Sequence, residues 1–283
     1  ENGLITGLES SRKKYVFDAV ILCTGGRSYP ATGSDGDGYR MAREVGHSIS
    51  EILPSLVPIV EDGHICREMQ GLSLKNVTLR IKKRENGKTV FEEMGEMMFT
   101  HFGLTGPLVL SASAHIRDIC RGKYAAVIDL KPALDEKKLD TRLLSDFGKY
   151  ANRDFANSLS DLLPQKMIAT VVSLSGIDGA KKVNSITKEE RQRLVMLLKH
   201  FEIPLLGFRP IDEAIITSGG ICVKEITPKT MESKLIENLY FAGEVIDVDA
   251  YTGGFNLQIA FSTGALAGAS AAEKVLLERN TEQ

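Results

Sequence analysis

Two glycine-rich loops contain the residues of this sequence that could bind an anion through the backbone. The first loop runs from Thr24 to Tyr39 (TGGRSYPATGSDGDGY) and joins an apolar run to a helical pattern. Loops in that position line the ligand crevice of open α/β sheets, and glycines let backbone N–H groups approach a phosphate closely. The dinucleotide fingerprint G-x-G-x-x-G occurs nowhere in the sequence. Taken alone, this loop fits either a cofactor-contacting role or a tight structural turn.

The second loop lies within Leu239 to Gly268, near the end of the sequence. A strand-like segment ends at Gly243-Glu244, acidic residues follow, and Gly253-Gly254 precede a long helical pattern. A helix N-terminus offers free N–H groups and about half a positive charge, which suits a phosphate or the electron-rich pyrimidine edge of a flavin. Glu244 could accept hydrogen bonds from sugar or ribityl hydroxyls. The alternative is a glycine turn with solvated acids, but the presence of both loops in one chain favours a binding site.

The elements that must position these loops are of the α/β type at both ends of the chain. The apolar run from Tyr15 to Thr24 predicts one parallel strand buried on both faces, and a helix should follow Asp37 and end at Gly46. Glu213 to Thr217 and Leu239 to Ala242 predict further short strands. A final helix from about Asn256 to Leu277 is rich in alanine and glycine, which predicts close packing against a neighbouring backbone.

The middle of the chain has a different character. Val77, Leu79 and Ile81 alternate with polar residues, and the Asn86-Gly87 pair predicts a hairpin turn. From Asp135 onward the pattern is helical, with a capping-box signature formed by Thr187 and Glu190 and a stop at Pro204.

These motifs together resemble a known family. Thr24-Gly25-Gly26, Phe241-Ala242-Gly243-Glu244 and TGGFNLQIA at 252–260 are similar to the two-dinucleotide-binding-domain flavoproteins. The phrases GEMMFTHFGLTGP at 95–107 and ITSGGICVKEITPKTMESK at 216–234 narrow the resemblance to the BaiN-like, aminoacetone-oxidase-like family of bacterial FAD-dependent oxidoreductases. The resemblance covers nearly the whole chain. It implies that a small organic substrate exchanges a hydride with FAD, and that NAD(P)H or oxygen is the second redox partner.

The resemblance also implies a fold, and the order of elements agrees with it. We expect an α/β protein with an incomplete FAD-binding Rossmann-like domain that is interrupted by an inserted β-rich domain and a helical subdomain. The expected boundaries are 1–54 and 215–283 for the FAD-binding domain, 55–134 for the β-rich domain, 135–203 for the helical subdomain and 204–214 for a return strand of the inserted domain.

Site residues follow from the family pattern. The residues implied to bind the cofactor are Thr24, Gly25 and Gly26 beside the dinucleotide portion, Gly243, Glu244 and Asp247 beside the ribityl chain and pyrophosphate, and Gly253, Gly254, Asn256, Leu257 and Gln258 beside the isoalloxazine. His101 and Tyr251 are weak catalytic candidates, since packing or hydrogen bonding explains either residue as well. No metal is expected, because histidines and cysteines lack partners at ligand spacing.

The family pattern also implies a segment that this sequence does not contain. Relatives begin with a strand, the glycine fingerprint and a helix, followed by an acid that binds the adenosine ribose. We therefore expect this chain to be an N-terminally truncated piece of a protein of roughly 400 residues.

Composition limits the remaining possibilities. The 283 residues are 43% hydrophobic, and 35 basic against 37 acidic side chains give a net charge of −2. That balance gives no electrostatic reason to expect nucleic acid or an anionic membrane as a partner. No apolar run is long enough to span a membrane and no signal-peptide core is present, so we expect a soluble, cytoplasmic protein.

Two alternatives remain open from the sequence. One is a truncated, flavin-free fragment or binding module without catalytic activity. The other is a flavin-dependent enzyme that modifies RNA or protein, for which a basic face on the inserted domain would be the indication.

Overall fold

Short strands and helices alternate along residues 3–10 and 12–281, which are the residues that the computed structural model describes. In chain order the elements are β1 (Gly7–Glu9), β2 (Lys14–Val16), β3 (Val20–Leu22), α1 (Asp37–Glu44), β4 (Leu53–Ser55), β5 (Ile59–Glu61), α2 (Ile65–Glu68), β6 (Ser73–Lys83), β7 (Thr89–Phe99), β8 (Gly103–Thr105), α3 (Pro107–Ser113), β9 (Tyr124–Asp129), α4 (Glu136–Lys149), α5 (Phe155–Ser158), α6 (Gln165–Ser175), α7 (Lys188–Lys199), β10 (Phe201–Phe208), β11 (Ile216–Ser218), β12 (Leu239–Phe241) and α8 (Phe255–Thr281).

The chain divides into two compact units, one of which is made of two chain segments. Unit 1 contains Glu1–Val57 and Pro210–Gln283, and unit 2 contains Pro58–Arg209. Each unit has its own cluster of buried apolar side chains. The protein is thus a mixed α/β structure in which a Rossmann-like unit and a β-rich unit can be described independently.

Unit 1 is built around the parallel pair β3 and β12, in which Val20 lies opposite Leu239 and Leu22 lies opposite Phe241. Helix α1 buries Tyr39 and Ala42 in the same apolar cluster. The pair β4 and β11 is antiparallel and joins the two chain segments of the unit. The predicted combination of strand, glycine loop and helix at the start of the chain is present.

One strand of unit 1 differs from its prediction. The run from Tyr15 to Thr24 forms two short strands, β2 and β3, instead of one. Strand β2 pairs antiparallel with β1, and Val16 is 86% exposed, so only the second half of the run is a parallel strand. A continuous apolar run carries no periodicity that could have revealed this break.

Unit 2 contains a closed barrel with the strand order β10, β5, β8, β7, β6, β9. The long strands β6 and β7 form the predicted hairpin around Asn86-Gly87, with Leu79 and Ile81 fully buried on the inner face. Strand β10 closes the barrel by pairing with both β5 and β9.

Helices α4 to α7 of unit 2 share one apolar cluster with the barrel. Leu139, Leu143 and Phe147 on α4 are buried as predicted, whereas Leu144 is 48% exposed. The capping box at Thr187 and Glu190 is confirmed at the start of α7. The helical segment ends at Lys199, since Phe201 already belongs to β10.

Helix α8 covers the predicted residues, but only part of it shows the predicted close packing. Ala267 and Ala271 are buried, whereas a Cβ added at Gly264 or Gly268 would meet no atom within 4 Å. Its small residues therefore allow close packing only along part of the helix. Within residues 3–10 and 12–281, no helix combines the length and apolar character that crossing a membrane requires.

Candidate functional site

Gly26 brings the first glycine loop against two residues from elsewhere in unit 1. A Cβ at position 26 would clash with Thr217 Oγ1 and lie 2.5 Å from Glu244 Oε1. Only glycine fits there, because a real side chain would displace both groups. The structure thus places the predicted residues Gly26 and Glu244 side by side at the ends of β3 and β12.

Thr217 connects the two predicted loops by hydrogen bonds. Its backbone N–H donates to Glu244 Oε1 over 2.7 Å. Its side-chain Oγ1 accepts the backbone N–H of Arg27 over 2.7 Å and that of Ser28 over 3.1 Å. Thr217 is 1% exposed, so these bonds lie in a protected environment. Sequence reasoning missed this residue, although it lies within the ITSGG phrase that contributed to the resemblance.

Gly25 and Tyr29 of the first glycine loop both lie in the left-handed region of backbone conformation, with φ values of 77° and 49°. For an aromatic residue that conformation costs of order 1–3 kcal/mol, and such residues cluster at ligand sites. Tyr29 is 51% exposed, so burial of its ring does not offset the strain.

The acidic side chains after Gly243 accept hydrogen bonds from serines of neighbouring segments. Asp247 accepts from Ser50 Oγ over 2.5 Å, and Asp249 accepts from Ser55 Oγ over 3.0 Å. These bonds fix the loop against β4 and the segment before it. Glu244 and Asp247 both act on the Tyr39 hydroxyl, so this side of the site is negatively charged.

Tyr39 lies beneath this acidic group. It is 4% exposed, and its hydroxyl has no hydrogen-bond partner among the described residues. Burial raises the pKa of Tyr39 to about 12, and the nearby carboxylates of Glu244 and Asp247 add to the shift. The phenol is therefore neutral at physiological pH and cannot act as a base.

The start of α8 forms the other side of the candidate site. Gly253 and Gly254 have φ values of 112° and 89°, and a Cβ at Gly254 would meet no atom within 4 Å. The first intrahelical bond runs from Gln258 N–H to the Gly254 carbonyl, so the preceding N–H groups of the helix have no intrahelical acceptor. Phe255 and Leu257 are 60% and 63% exposed. Free donors and apolar side chains therefore lie together at this helix end.

Two polar residues on this first turn have different roles. Asn256 Oδ1 accepts the Ala250 N–H over 2.8 Å, and its Nδ2 donates to the Ala250 carbonyl over 2.8 Å. The amide of Gln258 instead donates to Ser262 on the same helix. The side chain of Asn256 thus holds the loop that contains Tyr251, while the side chain of Gln258 makes no contact outside α8.

Contacts at Gly243 and Gly38 complete the arrangement. The Gly243 N–H donates to Thr263 Oγ1 over 2.9 Å, which ties the end of β12 to α8. A Cβ at Gly38 would clash with Thr24 Oγ1, so the first loop packs tightly on α1. The structure therefore packs the first loop against the end of β12, and the end of β12 against α8 at Ala260 and Thr263, within unit 1.

The residues of this site fit the flavin end of FAD. A flat ring system needs space that no side chain fills, and Gly254 leaves such space before the α8 N-terminus, whereas a Cβ at Gly253 would lie 3.4 Å from the Phe255 ring. A ring with an electron-rich edge also requires N–H donors, which the first turn of α8 supplies. Glu244 Oε1 is already bonded to Thr217, so a ribityl hydroxyl would have to use its other oxygen.

The two weak catalytic candidates fall in different units. Tyr251 belongs to unit 1, where it is 40% exposed beside the glycine pair. His101 belongs to unit 2, where its exposed ring contacts Phe102 edge to face at a centroid distance of 5.0 Å. Neither ring is buried, and each remains accessible to a ligand of its own unit.

Unit 1 has a Rossmann-like architecture, and sequence comparison identifies its family. Residues 2–270 match the family described as HI0933-like protein Rossmann domain, and the chain belongs to that family of BaiN-like FAD-dependent oxidoreductases.

Three characterised relatives are similar over most of the chain. The 3-dehydro-bile acid delta(4,6)-reductase of Clostridium scindens is 29% identical over 269 residues, which cover 94% of this chain and 65% of the relative. The ribosomal RNA dihydrouridine synthase of Escherichia coli is 30% identical over 262 residues, which cover 93% and 60%. The protein of the same name from Haemophilus influenzae is 31% identical over 246 residues, which cover 86% and 58%. The chain thus spans 58–65% of the length of these relatives.

Proposed function

We propose that this chain belongs to an FAD-dependent oxidoreductase that reduces a carbon–carbon double bond conjugated to a carbonyl group. The observation that carries the proposal is the donor-rich start of α8 behind Gly254, in the same unit as the Gly26, Thr217 and Glu244 junction. The names of the relatives support the type of reaction. A delta(4,6)-reductase acting on a 3-dehydro compound reduces a double bond in conjugation with an oxo group, and a dihydrouridine synthase adds two hydrogens to a uracil ring.

FAD, when bound, would supply the hydride for such a reduction, with NAD(P)H as the proposed source of electrons. The residues proposed to hold it are the eleven that the family pattern implies, from Thr24 in the first loop to Gln258 on α8. Thr24, Gly25 and Gly26 would lie beside its dinucleotide portion. Gly253 and Gly254 would leave room for its ring.

The protein's own contribution would be electrostatic and steric. Hydride transfer changes the charge on the ring and on the substrate carbonyl, so fixed donors aimed at these positions lower the barrier. The N–H groups of Asn256 and Leu257 are donors of this kind, because they precede Gln258, whose N–H makes the first bond of the helix. Phe255 and Leu257 would cover the ring and exclude water from it.

A reduction of this type also needs a proton at the carbon next to the carbonyl. Tyr251 is our candidate donor, because it follows Ala250, whose backbone the Asn256 amide holds in place. A tyrosine hydroxyl is one of the side-chain groups that can serve as a general acid. His101 is the second candidate donor.

The test compares two glycines with the same backbone requirement. Gly254 has φ 89° and Gly46 has φ 96°, and a Cβ at either position would meet no atom within 4 Å. Substitution by alanine should therefore lower the free energy of unfolding by a similar amount at both positions, about 1 kcal/mol. We expect Gly254→Ala to lower flavin content and enone reduction with NADPH at least tenfold, and Gly46→Ala to leave both near the starting level.

Two results would contradict the proposal. Equal losses in both variants would indicate that the start of α8 has no special role. A purified protein that contains no flavin and gains none on incubation with FAD would favour the alternative of a flavin-free binding module.

One observation favours a second candidate, an enzyme that reduces a base in RNA. Unit 2 contains 24 lysines and arginines against 19 acidic residues, a net charge of +5, whereas unit 1 has 11 against 18, a net charge of −7. The near-neutral charge of the whole chain therefore hides a basic unit, which weakens the argument against a nucleic-acid substrate. Incubation with ribosomal RNA and NADPH, followed by nucleoside analysis for dihydrouridine, distinguishes the two substrates.

A further inference from the structure

Unit 1 contains an apolar cavity that the site described above does not use. It has a volume of about 190 Å³ and lies between the segment 223–231, the loop after β12 and helix α8. Ile226, Met231 and Ile246 are buried in its lining. Val223 and Val248 also line it and are 46% and 40% exposed, which places its opening to solvent beside them. The cavity therefore has a buried apolar floor that a small molecule can reach from solvent.

The lining contains one polar side chain, and that side chain is already hydrogen-bonded. Thr263 Oγ1 accepts the Gly243 N–H over 2.9 Å and donates to the Ile259 carbonyl over 2.7 Å. The other side chains that line the cavity belong to valine, isoleucine, methionine and proline, so none of them carries a charge. A charged or strongly polar group would lose its water there and gain no partner. The chemistry of the lining therefore selects an uncharged hydrocarbon group.

Hydrogen bonds fix the wall of the cavity that carries Met231. The Met231 carbonyl accepts the Phe241 N–H of β12 over 3.0 Å. The buried imidazole of His47 lies between Glu225 and Ser233, at 3.1 and 2.8 Å, and so links the two ends of this wall. A wall held in this way is largely preformed, so a ligand has few side chains to order when it binds.

The volume of the cavity limits what can enter it. An apolar cavity of about 150 Å³ engineered in another protein binds benzene. A cavity of about 190 Å³ should therefore accommodate one six-membered ring with a short alkyl substituent. A stable protein interface involves about 20–30 residues a side, whereas eight residues line this cavity. The size thus argues for a small molecule and against a second copy of the chain or another protein.

We propose that this cavity binds a small uncharged hydrocarbon ring of the alkylbenzene or cycloalkene type. Binding gains free energy because the ring leaves water and fills space in which the lining side chains make few contacts. The proposal goes beyond the proposed function and does not rest on it, since none of the residues that we propose to hold the flavin lines the cavity.

The test uses the methyl group of Met231 as a reporter within the cavity. The full chain is isotopically labelled at its methionine methyl carbons, and the Met231→Leu variant assigns the Met231 signal in the NMR spectrum. We expect titration with toluene to shift this signal saturably, because an aromatic ring shifts the resonances of neighbouring methyl groups. Met97 and Met167 are buried in unit 2 and serve as internal references whose signals should stay in place. Benzoate has the same ring with a charge and should cause no saturable shift.

A variant that narrows the opening provides a second measurement. Val223→Phe places a ring at the rim, and we expect toluene to bind at least about tenfold more weakly, since that ring takes up space that toluene needs. The matched control is Ile215→Phe, at a position of unit 1 that is 44% exposed and does not line the cavity. The control should bind toluene like the unchanged protein. If Val223→Phe does not fold, the comparison of toluene with benzoate in the unchanged protein still decides.

Several results would overturn the proposal. The first is a Met231 signal that shows no saturable shift up to the solubility of toluene in water. Others are benzoate binding as tight as toluene binding, or equal toluene affinity in Val223→Phe and Ile215→Phe. A Met231 signal that moves with protein concentration alone would assign this surface to contact between copies of the chain. Neither flavin nor NADPH takes part, so a protein that reduces an enone but does not bind toluene would remove only this site.

Discussion

The backbone N–H of Thr217 donates to Glu244 Oε1 over 2.7 Å, and this bond joins β11 to the loop that follows β12. The same threonine accepts two N–H groups of the first glycine loop through its hydroxyl. One buried residue, through its backbone and its side chain, therefore determines the relative position of two loops that are more than 200 residues apart at their outer ends.

Replacing Thr217 by valine should weaken both protein stability and flavin binding. Valine keeps the shape but removes the acceptor of the Arg27 and Ser28 N–H groups, which leaves buried donors unsatisfied. We expect the free energy of unfolding to fall by about 1–3 kcal/mol in urea denaturation. Thr217→Ser keeps the hydroxyl and should retain flavin affinity, and a serine variant as defective as the valine variant would speak for a packing role instead.

Replacing Asn256 by alanine should affect the site much more than replacing Gln258. The Asn256 amide makes two bonds of 2.8 Å to Ala250, whereas Gln258 contacts only Ser262 on its own helix. We expect Asn256→Ala to lower flavin affinity at least tenfold and stability by about 1–2 kcal/mol. Gln258→Ala should change stability by less than about 0.5 kcal/mol and should lower flavin affinity less than Asn256→Ala does. Titration with FAD followed by fluorescence checks both, and similar affinities in the two variants would contradict the role given to Asn256.

Removing the Tyr39 hydroxyl should stabilise the protein. The hydroxyl is buried without a hydrogen-bond partner among the described residues, so folding costs it the hydrogen bonds that it makes to water. We expect Tyr39→Phe to raise the free energy of unfolding by about 1 kcal/mol in urea denaturation. A loss of stability would show instead that the phenol forms a bond in solution, with Thr217 as the nearest candidate.

Stability should fall as the pH decreases below about 6.5, because of His47. Its side chain is fully buried between Glu225 and Ser233, at 3.1 and 2.8 Å, and burial lowers the pKa of His47 despite the opposing effect of Glu225. The imidazole therefore binds its proton at a higher pH in the unfolded chain than in the folded chain. As the pH falls through the unfolded pKa, protonation favours the unfolded chain, and the free energy of unfolding decreases. Below the folded pKa the loss levels off.

The measurement is urea denaturation at about pH 7.5, 6.5 and 5.5, where the carboxylates stay ionised. Hydrogen bonds from Ser48 hold the pKa of Glu225 below its usual 4.5, so Glu225 contributes only at lower pH. His47→Gln should be less stable overall, and its stability should vary less between these pH values. An equally steep decline in the glutamine variant would assign the effect to another group.

Local signals in the sequence were sufficient for several elements. Asn86-Gly87 predicted the hairpin because Gly87, at φ 69°, readily adopts the left-handed backbone that the turn requires, and Thr187 with Glu190 predicted the start of α7. Both signals depend on neighbouring residues alone, so no knowledge of the rest of the chain was needed. The glycine loops were recognised for the same reason.

Features that depend on distant contacts could not be predicted. Closure of the barrel requires β10 to pair with β5 and β9, and nothing in the residues 201–208 states their partners. Thr217 was missed because a threonine at the end of a strand gives no sign that two amides from residues 27 and 28 will reach it. The break between β2 and β3 has the same origin, since β2 forms through pairing with β1.

The two units differ in how they can extend a sheet. The barrel of unit 2 closes on itself, so its six strands present no free edge for another strand to join. In unit 1, strand β3 pairs with β12 alone, and within the described residues its other edge has no strand beside it. A further strand, from the same polypeptide or another one, can therefore hydrogen-bond to β3 of unit 1 but not to the barrel. Unwanted self-association through strand pairing would begin at β3, and charges introduced along that edge would be the direct means of suppressing it.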